Sequence, residues 1–177
     1  MRLRQPIWSR FLPTKIILAV ARVGPFGRMR KAPGTWGSVA GLLYQLLIFH
    51  HLSIVATVVL SLVGIWLAVG ICGEAEFRLG KRDPGEVVLD EFVVIPLCFI
   101  GWTHVAAVLP GWATPWSVYL AGFALFRIFD IAKPFGIAKL QDFEGGWGVV
   151  FDDVAAALAS CAVMHVAAAG WLYFHHG

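Results

Sequence analysis

Charged residues are scarce in this sequence. Asp, Glu, Lys and Arg make up only 14% of its 177 residues, and 59% of the residues are hydrophobic, whereas roughly 25% of the residues in a soluble domain are charged. This composition excludes an ordinary soluble globular domain and predicts a membrane protein. The length, without any linker-like or low-complexity tract, predicts a single domain over residues 1–177.

Cysteine is also rare. Three cysteines lie far apart inside apolar segments: Cys72, Cys98 and Cys161. Their spacing excludes a disulfide framework and a CxxC metal site. Cys72 and Arg78 match the C-x5-R spacing of thiolate phosphatases, but Glu74 and Glu76 lie between them and would repel a phosphate. We interpret this match as a coincidence.

Several nucleotide and phosphate motifs are absent. The sequence has no Walker-type G-x4-G-K-[ST] motif, no D-x-D pair and no Asp-Gly dipeptide. The first absence excludes a P-loop enzyme. The second argues against a D-x-D nucleophile, and the third argues against a lipid phosphotransferase that uses a D-x2-D-G array.

Long apolar segments dominate what is present. Five of them are predicted crossings: Ser38–Phe49, Ser53–Cys72, Phe92–Leu109, Trp116–Phe129 and Asp153–Phe174. The second is uncharged over about 20 residues, which is enough to span the hydrocarbon core; the first and fourth are shorter. Residues 12–23 are predicted to form an interfacial or re-entrant helix. The predicted fold is all-α, a polytopic helical membrane bundle with about five crossings plus an N-terminal interfacial helix.

The five predicted crossings would put every charged side chain on one side of the membrane. All 14 Lys and Arg and all 11 Asp and Glu lie in the N-terminal segment or in residues 28–38, 74–91 and 127–153. The loops at 50–52 and 110–115 and the tail contain none of them. Because Lys and Arg are enriched in cytoplasmic loops, we predict that the charged side is cytoplasmic. His165 lies within the last apolar segment and the other histidines on the opposite side, so a histidine nucleophile is not expected.

The first polar segment reads K-A-P-G-T-W-G-S at residues 31–38. Its Pro-Gly pair followed by Thr35 and Ser38 predicts a loop that leads into a helix N-terminus. Free backbone amides there, with Lys31 beside them, favour binding of an anion such as phosphate. An ordinary capped helix start is the alternative.

The second polar segment contains several carboxylates. Asp83, followed by a proline and by Glu86, fits a capping box, and this would place Asp90 one turn from Glu86 on the same helix face, next to Glu91. Carboxylates at this spacing repel each other unless a positive charge lies between them. A divalent cation would supply it, and oxygen ligands suit Mg²⁺.

The third polar segment begins where an apolar helix ends. Arg127, Asp130 and Lys133 are three residues apart and lie on roughly one face; ion pairing along the helix is the alternative to a functional role. Asp152 and Asp153 follow at the start of the last crossing. One aspartate could cap that helix, but two in succession exceed what capping requires. Together with the other carboxylates and the cations, they form the side-chain set expected for metal-assisted phosphoryl transfer.

In these motifs the chain resembles the phosphatidylglycerophosphatase A family. The match lies in K-A-P-G-T-W-G-S at 31–38, D-P-x-x-x-V-x-D-E at 83–91, F-R-x-F-D-x-x-K-P at 126–134 and G-G-x-G-V-x-x-D-D at 145–153. The resemblance implies a bacterial, membrane-embedded, Mg²⁺-dependent enzyme that removes the terminal phosphate of phosphatidylglycerophosphate to give phosphatidylglycerol. The residues it implicates are Lys31, Asp90, Glu91, Arg127, Asp130, Lys133, Asp152 and Asp153.

We therefore expect hydrolysis of a lipid phosphate monoester at the cytoplasmic face of the bacterial inner membrane. The expected Mg²⁺ ligands are Asp90, Glu91, Asp152 and Asp153. The expected substrate contacts are Lys31, Thr35, Ser38, Arg127 and Lys133. Water is the expected nucleophile with Asp130 or Glu86 as general base, and a covalent aspartyl-phosphate at Asp130 stays open.

The expected partners are the membrane and an anionic phospholipid, and no nucleic acid is expected. Basic residues in the first 31 positions would hold the lipid near the surface. Two alternatives use the same carboxylates: a membrane cation transporter and a phosphatase for another lipid phosphate. Transporters usually place charged ligands near the middle of the bilayer, whereas these residues lie at predicted helix ends.

Overall fold

The computed structural model describes residues 6–109 and 115–176, apart from the side chain of His176. In these residues it contains helices and no strand, which confirms the all-α prediction. The α-helices are α1 Thr14–Ala21, α2 Pro33–Tyr44, α3 Ile54–Leu79, α4 Leu89–Cys98, α5 Trp102–Val108, α6 Pro115–Ala132 and α7 Gly146–His176. Three 3₁₀ turns, Trp8–Phe11, Phe26–Arg28 and Ile137–Asp142, and a π-helical segment, Gln45–Phe49, complete the described helical structure. Most of the predicted loop at 110–115 lies outside the described residues.

Three of the described helices are long and apolar enough to cross a membrane. They are α3, α6 and α7, and a fourth crossing is formed if α4 and α5 act as one bent span. The prediction of about five crossings is therefore not confirmed. The predicted crossing at Ser38–Phe49 is absent from these candidates: it lies in α2 and the π-helical segment that continues it. Residues 33–49 together rise about 25 Å, somewhat short of a hydrocarbon core of roughly 30 Å.

The predicted crossing at Phe92–Leu109 is broken in its middle. α4 and α5 meet at an angle of 47°. Pro96 lies inside α4 and has no N–H to donate, and Gly101 has a φ of 68°, a left-handed conformation that favours glycine. The sequence therefore encodes a kink where a single apolar segment had been predicted.

α4 lies at the centre of the bundle. It packs against α2, α3 and α7, and Val94, Ile95 and Cys98 are almost completely buried. α2 approaches it closely through glycine: a Cβ on Gly41 would lie 2.6 Å from the Ile95 side chain. This central position also buries the first turn of α4, which carries Asp90 and Glu91.

The last helix begins earlier than predicted. α7 starts at Gly146, so Asp152 and Asp153 lie within its second turn and neither caps it. Gly146 permits this start, because a Cβ there would lie only 1.8 Å from the Val69 carbonyl oxygen of α3. The Gly-rich segment before the aspartates thus forms helix packed against α3.

The predicted capping box at Asp83 and Glu86 is wrong. Asp83 adopts a left-handed conformation, with φ of 43°, and the chain then turns, with the Val87 amide donating to the Pro84 carbonyl. α4 begins only at Leu89, and its N-cap residue, Val88, makes no side-chain cap. Glu86 and Asp90 are therefore not one turn apart on a helix face.

The predicted N-terminal helix over residues 12–23 is present as α1. Ile17 and Ala21 are buried where α1 packs against α3, whereas Ile16 and Val20 on its other face are exposed. A short helix with exposed aliphatic side chains and basic neighbours has the character of a helix that lies in a membrane interface.

Candidate active site

The polar segments meet in one cavity of about 300 Å³. Four helix ends surround it: the N-termini of α2, α4 and α7 and the C-terminus of α6. Its lining residues are Ala32, Pro33, Gly34, Thr35, Asp83, Gly85, Val87, Asp90, Glu91, Arg127, Asp130, Lys133, Val149, Asp152 and Asp153. The structure thus brings together all four Mg²⁺ ligands proposed from the sequence, as well as Asp130, Arg127, Lys133 and Thr35.

The first turn of α2 forms one wall of this cavity. Ala32 precedes it with a φ of 47°, and Pro33 occupies the first helical position, where proline needs no hydrogen-bond acceptor. The amides of Gly34 and Thr35 follow, and first-turn amides have no acceptor within their own helix. This wall therefore presents donors and the positive end of a helix dipole, both of which favour an anion.

A network of polar contacts joins α2, α4 and α6 at the base of the cavity. The Ser38 hydroxyl is buried, 3.1 Å from Glu91 Oε2 and 3.0 Å from the Gly34 carbonyl oxygen. Arg127 Nη1 donates to Ser38 Oγ at 3.1 Å and to Asp130 Oδ2 at 2.7 Å, and it lies 3.4 Å from Glu91 Oε1. Arg127 is consequently held by two carboxylates and a hydroxyl. The ion pairing along α6 that was weighed as an alternative is present between Arg127 and Asp130.

Lys133 is the second cation of the cavity. It follows the end of α6 with a φ of 43°, and this turn directs its ammonium to Asp152 on α7, with which it forms a hydrogen-bonded ion pair. Burial alone would lower the Lys133 pKa, but the hydrogen bond and charge of Asp152, together with Asp153 and Asp130, raise it above its ordinary value. Lys133 is therefore cationic at neutral pH.

The cavity contains more negative than positive charge. Six carboxylates line it against two cations, and Asp90, Asp152 and Asp153 are each no more than 5% exposed. Asp153 lies close enough to Asp90 and Asp152 for their charges to repel. Asp90 Oδ1 and Asp152 Oδ1 have no hydrogen-bond partner among the described residues. Buried carboxylates without compensation are costly, so this set of oxygen donors fits a divalent cation.

The carboxylates of the cavity are arranged to pair with Lys133 and Arg127, and they do not converge on one point. Within residues 6–109 and 115–176, no three acidic, histidine or cysteine side chains converge closely enough to hold a metal ion as they stand. Lys133 holds one oxygen of Asp152, and Arg127 holds one of Asp130. Binding of a cation would therefore reorient carboxylates that now face these two side chains.

Comparison with known proteins identifies the family. A profile described as phosphatidylglycerophosphatase A matches residues 19–168, a range that includes every motif at the cavity. The chain belongs to the phosphatidylglycerophosphatase A family. No solved structure shows a significant match to it.

Three curated relatives illustrate the family relationship. Phosphatidylglycerophosphatase A of Haemophilus influenzae is 36% identical over 139 residues, which cover 78% of this chain and 80% of the relative. The Escherichia coli protein of the same name is 31% identical over 141 residues, covering 78% and 76%. A protein of Bacteroides thetaiotaomicron named putative phosphatidylinositol-3-phosphatase is 41% identical over 144 residues, covering 77% and 83%.

Three of the residues proposed from the sequence do not line the cavity of this family member. Glu86, proposed as an alternative general base, does not line it and pairs instead with Arg22, whose Nη2 lies 2.7 Å from Glu86 Oε2. Lys31 is exposed and is not part of the cavity wall. Ser38 lies beneath the wall and contacts three residues that line the cavity, Gly34, Glu91 and Arg127. The turn at residues 84–88, which replaces the predicted helix, explains the position of Glu86.

The alternative nucleophiles are also remote from the cavity. Cys72 is completely buried, and Arg78 pairs with Glu74 at 2.8 Å, so the C-x5-R spacing does not form a thiolate site. None of the described histidines lines the cavity. His50, for example, lies 2.8 Å from the Tyr119 hydroxyl beside Trp102.

The sequence reasoning missed the role of Gly34. A Cβ on this residue would lie 2.1 Å from Glu91 Oε1, so the absence of a side chain allows the Glu91 carboxylate to approach the first turn of α2. The Pro-Gly pair was interpreted as a turn signal, and its position before a helix was the only indication of this contact. Asp83 was also not proposed, although it lines the cavity.

Proposed function

We propose that this protein hydrolyses the terminal phosphate monoester of phosphatidylglycerophosphate, giving phosphatidylglycerol and inorganic phosphate. The observation that carries the proposal is the cavity itself, in which the two cations, the free amides of α2 and six carboxylates converge in a member of the phosphatidylglycerophosphatase A family. The names of the Haemophilus and Escherichia relatives support this choice of substrate.

The chain's own residues would bind and orient the phosphate. Arg127 and Lys133 neutralise charge on its oxygens, and the amides of Gly34 and Thr35 donate hydrogen bonds to them. Both cations are fixed by buried carboxylates, so little conformational entropy is lost when phosphate binds. Lys31, exposed beside the start of α2, would act at the entrance, where it attracts the anionic headgroup.

Asp130 is the favoured general base. It lines the cavity, whereas Glu86 is directed to Arg22. A water molecule between Asp130 and the phosphate would attack phosphorus and pass one proton to this carboxylate. The bond from phosphorus to the glycerol oxygen breaks, and that oxygen takes up a proton from solvent and leaves as the alcohol. The Arg127 contact fixes the orientation of Asp130 for this step. Formation of an aspartyl-phosphate at Asp130 is the alternative within the same proposal.

We propose Mg²⁺ as the cofactor, with Asp90, Glu91, Asp152 and Asp153 as its ligands. The unpartnered oxygens of Asp90 and Asp152 and the excess of buried negative charge support this assignment. When bound, Mg²⁺ would polarise phosphate oxygens and offset their charge. The protein would hold the ion at the point where α4 and α7 begin.

The cavity is proposed to open on the cytoplasmic face of a bacterial inner membrane. Among the described residues, the acidic and basic side chains lie at the helix ends that surround the cavity and beside α1, and basic residues mark cytoplasmic loops. This location gives the enzyme access to the headgroup of a lipid in the inner leaflet. Ile16 and Val20 of α1 would contact the interface beside it.

The test is phosphate release from phosphatidylglycerophosphate by the purified full chain in neutral detergent. We expect release that stops in EDTA and returns with added Mg²⁺, and an Asp90→Asn variant with activity lower by at least about a hundredfold. Asp142→Asn, which alters an exposed carboxylate outside the cavity, is the matched control. No release by the wild type, or full activity in Asp90→Asn, would contradict the proposal.

A phosphoinositide is the second candidate substrate. It is favoured by the name of the Bacteroides relative, the most identical of the three described above. Like phosphatidylglycerophosphate, it carries a monoester on a polyol headgroup and would use the same phosphate contacts. Values of kcat/KM for the two lipids in the same micelles decide between them. A cation transporter would instead conduct ions across vesicles and release no phosphate.

A further inference from the structure

A second pocket adjoins the catalytic cavity. It is a groove of about 430 Å³, and Pro33 and Gly85 line both it and the cavity. The groove lies between the Phe26–Arg28 turn, the start of α2, the end of α3 and the loop that precedes α4. Because the two spaces share these walls, the groove lies directly beside the cavity.

The groove is positively charged. Arg30 and Lys81 line it from two sides, both are exposed, and neither forms an ion pair with any described residue. Its only acidic residue, Glu86, is already neutralised by Arg22 at 2.7 Å. Two cations are thus left without counter-charges beside a site that binds a phosphate.

The remaining wall of the groove is apolar. Met29 and Leu79 contribute side chains that are at least partly exposed, and Pro33 completes this surface, with the buried Pro84 behind it. A wall with cations on one part and aliphatic groups on another matches a phosphodiester that is joined to acylated glycerol. It does not match a fully solvated anion, which would gain nothing from the aliphatic side.

We propose that this groove is a second phosphate subsite, in which Arg30 and Lys81 bind the internal phosphodiester of the substrate while its terminal monoester occupies the catalytic cavity. The inference rests on the proposed function. In phosphatidylglycerophosphate one glycerol separates the two phosphates, so adjacent pockets suit them. The subsite selects lipids that carry a diester and a monoester over phosphatidic acid, which has only a monoester.

The test compares Arg30→Gln, Lys81→Gln and the double variant with wild type. Arg28→Gln is the matched control, because Arg28 is an exposed cation on the same segment that does not line the groove. In neutral detergent micelles we expect KM for phosphatidylglycerophosphate to rise about tenfold per removed cation, with kcat changed less than about threefold. The inhibition constant of phosphatidic acid as a competitor should be the same for wild type and for the variants.

Three outcomes would overturn the subsite. An unchanged KM in the groove variants would show that Arg30 and Lys81 do not bind the substrate. An equal rise of KM in Arg28→Gln would show that surface cations attract the anionic lipid in general. A higher inhibition constant of phosphatidic acid in the groove variants would show that they affect the monoester cavity. If phosphatidic acid does not compete with wild type, the KM values of the groove variants and of Arg28→Gln alone decide whether the subsite exists. A wild type that releases no phosphate refutes the proposed function itself, which is a distinct result.

Discussion

Replacing Gly34 by alanine would test whether the position of the Glu91 carboxylate controls activity. The new Cβ would lie 2.1 Å from Glu91 Oε1 and 2.8 Å from Glu91 Oε2. A real Cβ keeps at least 3.0 Å from such atoms, so the nearer oxygen must retreat by about 0.9 Å. That movement separates Glu91 from Ser38 and Arg127, which now lie 3.1 and 3.4 Å away.

The expected cost falls on activity more than on stability. Alanine is the better helix former by about 1 kcal/mol, and the group that must move is the end of a flexible side chain, so the two effects on folding partly cancel. A misplacement of about 1 Å in a catalytic group can lower the rate by about a hundredfold. We therefore expect kcat/KM to fall by about that factor while the melting temperature stays within a few degrees of wild type.

The assay is phosphate release from phosphatidylglycerophosphate at saturating Mg²⁺, with thermal unfolding of the same detergent sample. Gly170→Ala is the control, since Gly170 is also helical and a Cβ there would meet nothing within 4 Å. Activity of Gly34→Ala within about threefold of wild type would refute the reasoning, because the carboxylate would then tolerate the displacement. A large fall in melting temperature would also refute it, since the defect would then be one of folding.

Three further predictions concern charges at the cavity. Asp153→Asn should abolish activity but raise the melting temperature in EDTA by about 2 to 4 °C, because it removes repulsion among buried carboxylates; an unchanged or lower value would contradict this. Lys133→Gln should destabilise the protein by about 3 to 5 kcal/mol, since it leaves Asp152 buried and unpaired, and adding Asp152→Asn should restore stability but not activity. Asp130→Asn should lower kcat by at least about a hundredfold, and Glu86→Gln by far less; the reverse order would restore Glu86 as the base.

Much of the site could be predicted from the sequence because it is built from short motifs at helix ends. In a membrane protein, apolar segments fix where helices run, and charged residues must lie where those helices end. Asp90, Arg127, Lys133 and Asp152 could therefore be placed together without coordinates. The sequence did not reveal which of them pair, because the contacts of Lys133 with Asp152 and of Arg127 with Glu91 join residues on different helices.

The number of crossings and the exact helix starts were harder to predict. Apolar composition does not distinguish a full span from the shorter α2, and it does not show that Pro96 and Gly101 bend one segment into α4 and α5. The start of α7 at Gly146 depends on close packing against the Val69 carbonyl, a contact between residues far apart in the chain. Hydrophobic periodicity contains no information about such a contact.

The sequence by itself determined that this chain is a helical membrane protein, that its charge collects in a few segments and which family it belongs to. These properties depend on composition and on local motifs. Only the tertiary structure decided that Glu86 faces Arg22, that Gly34 makes room for Glu91, and that Arg30 and Lys81 line a groove beside the carboxylate-lined cavity. Each depends on how distant segments pack, because the chain places these atoms together in space and not in sequence.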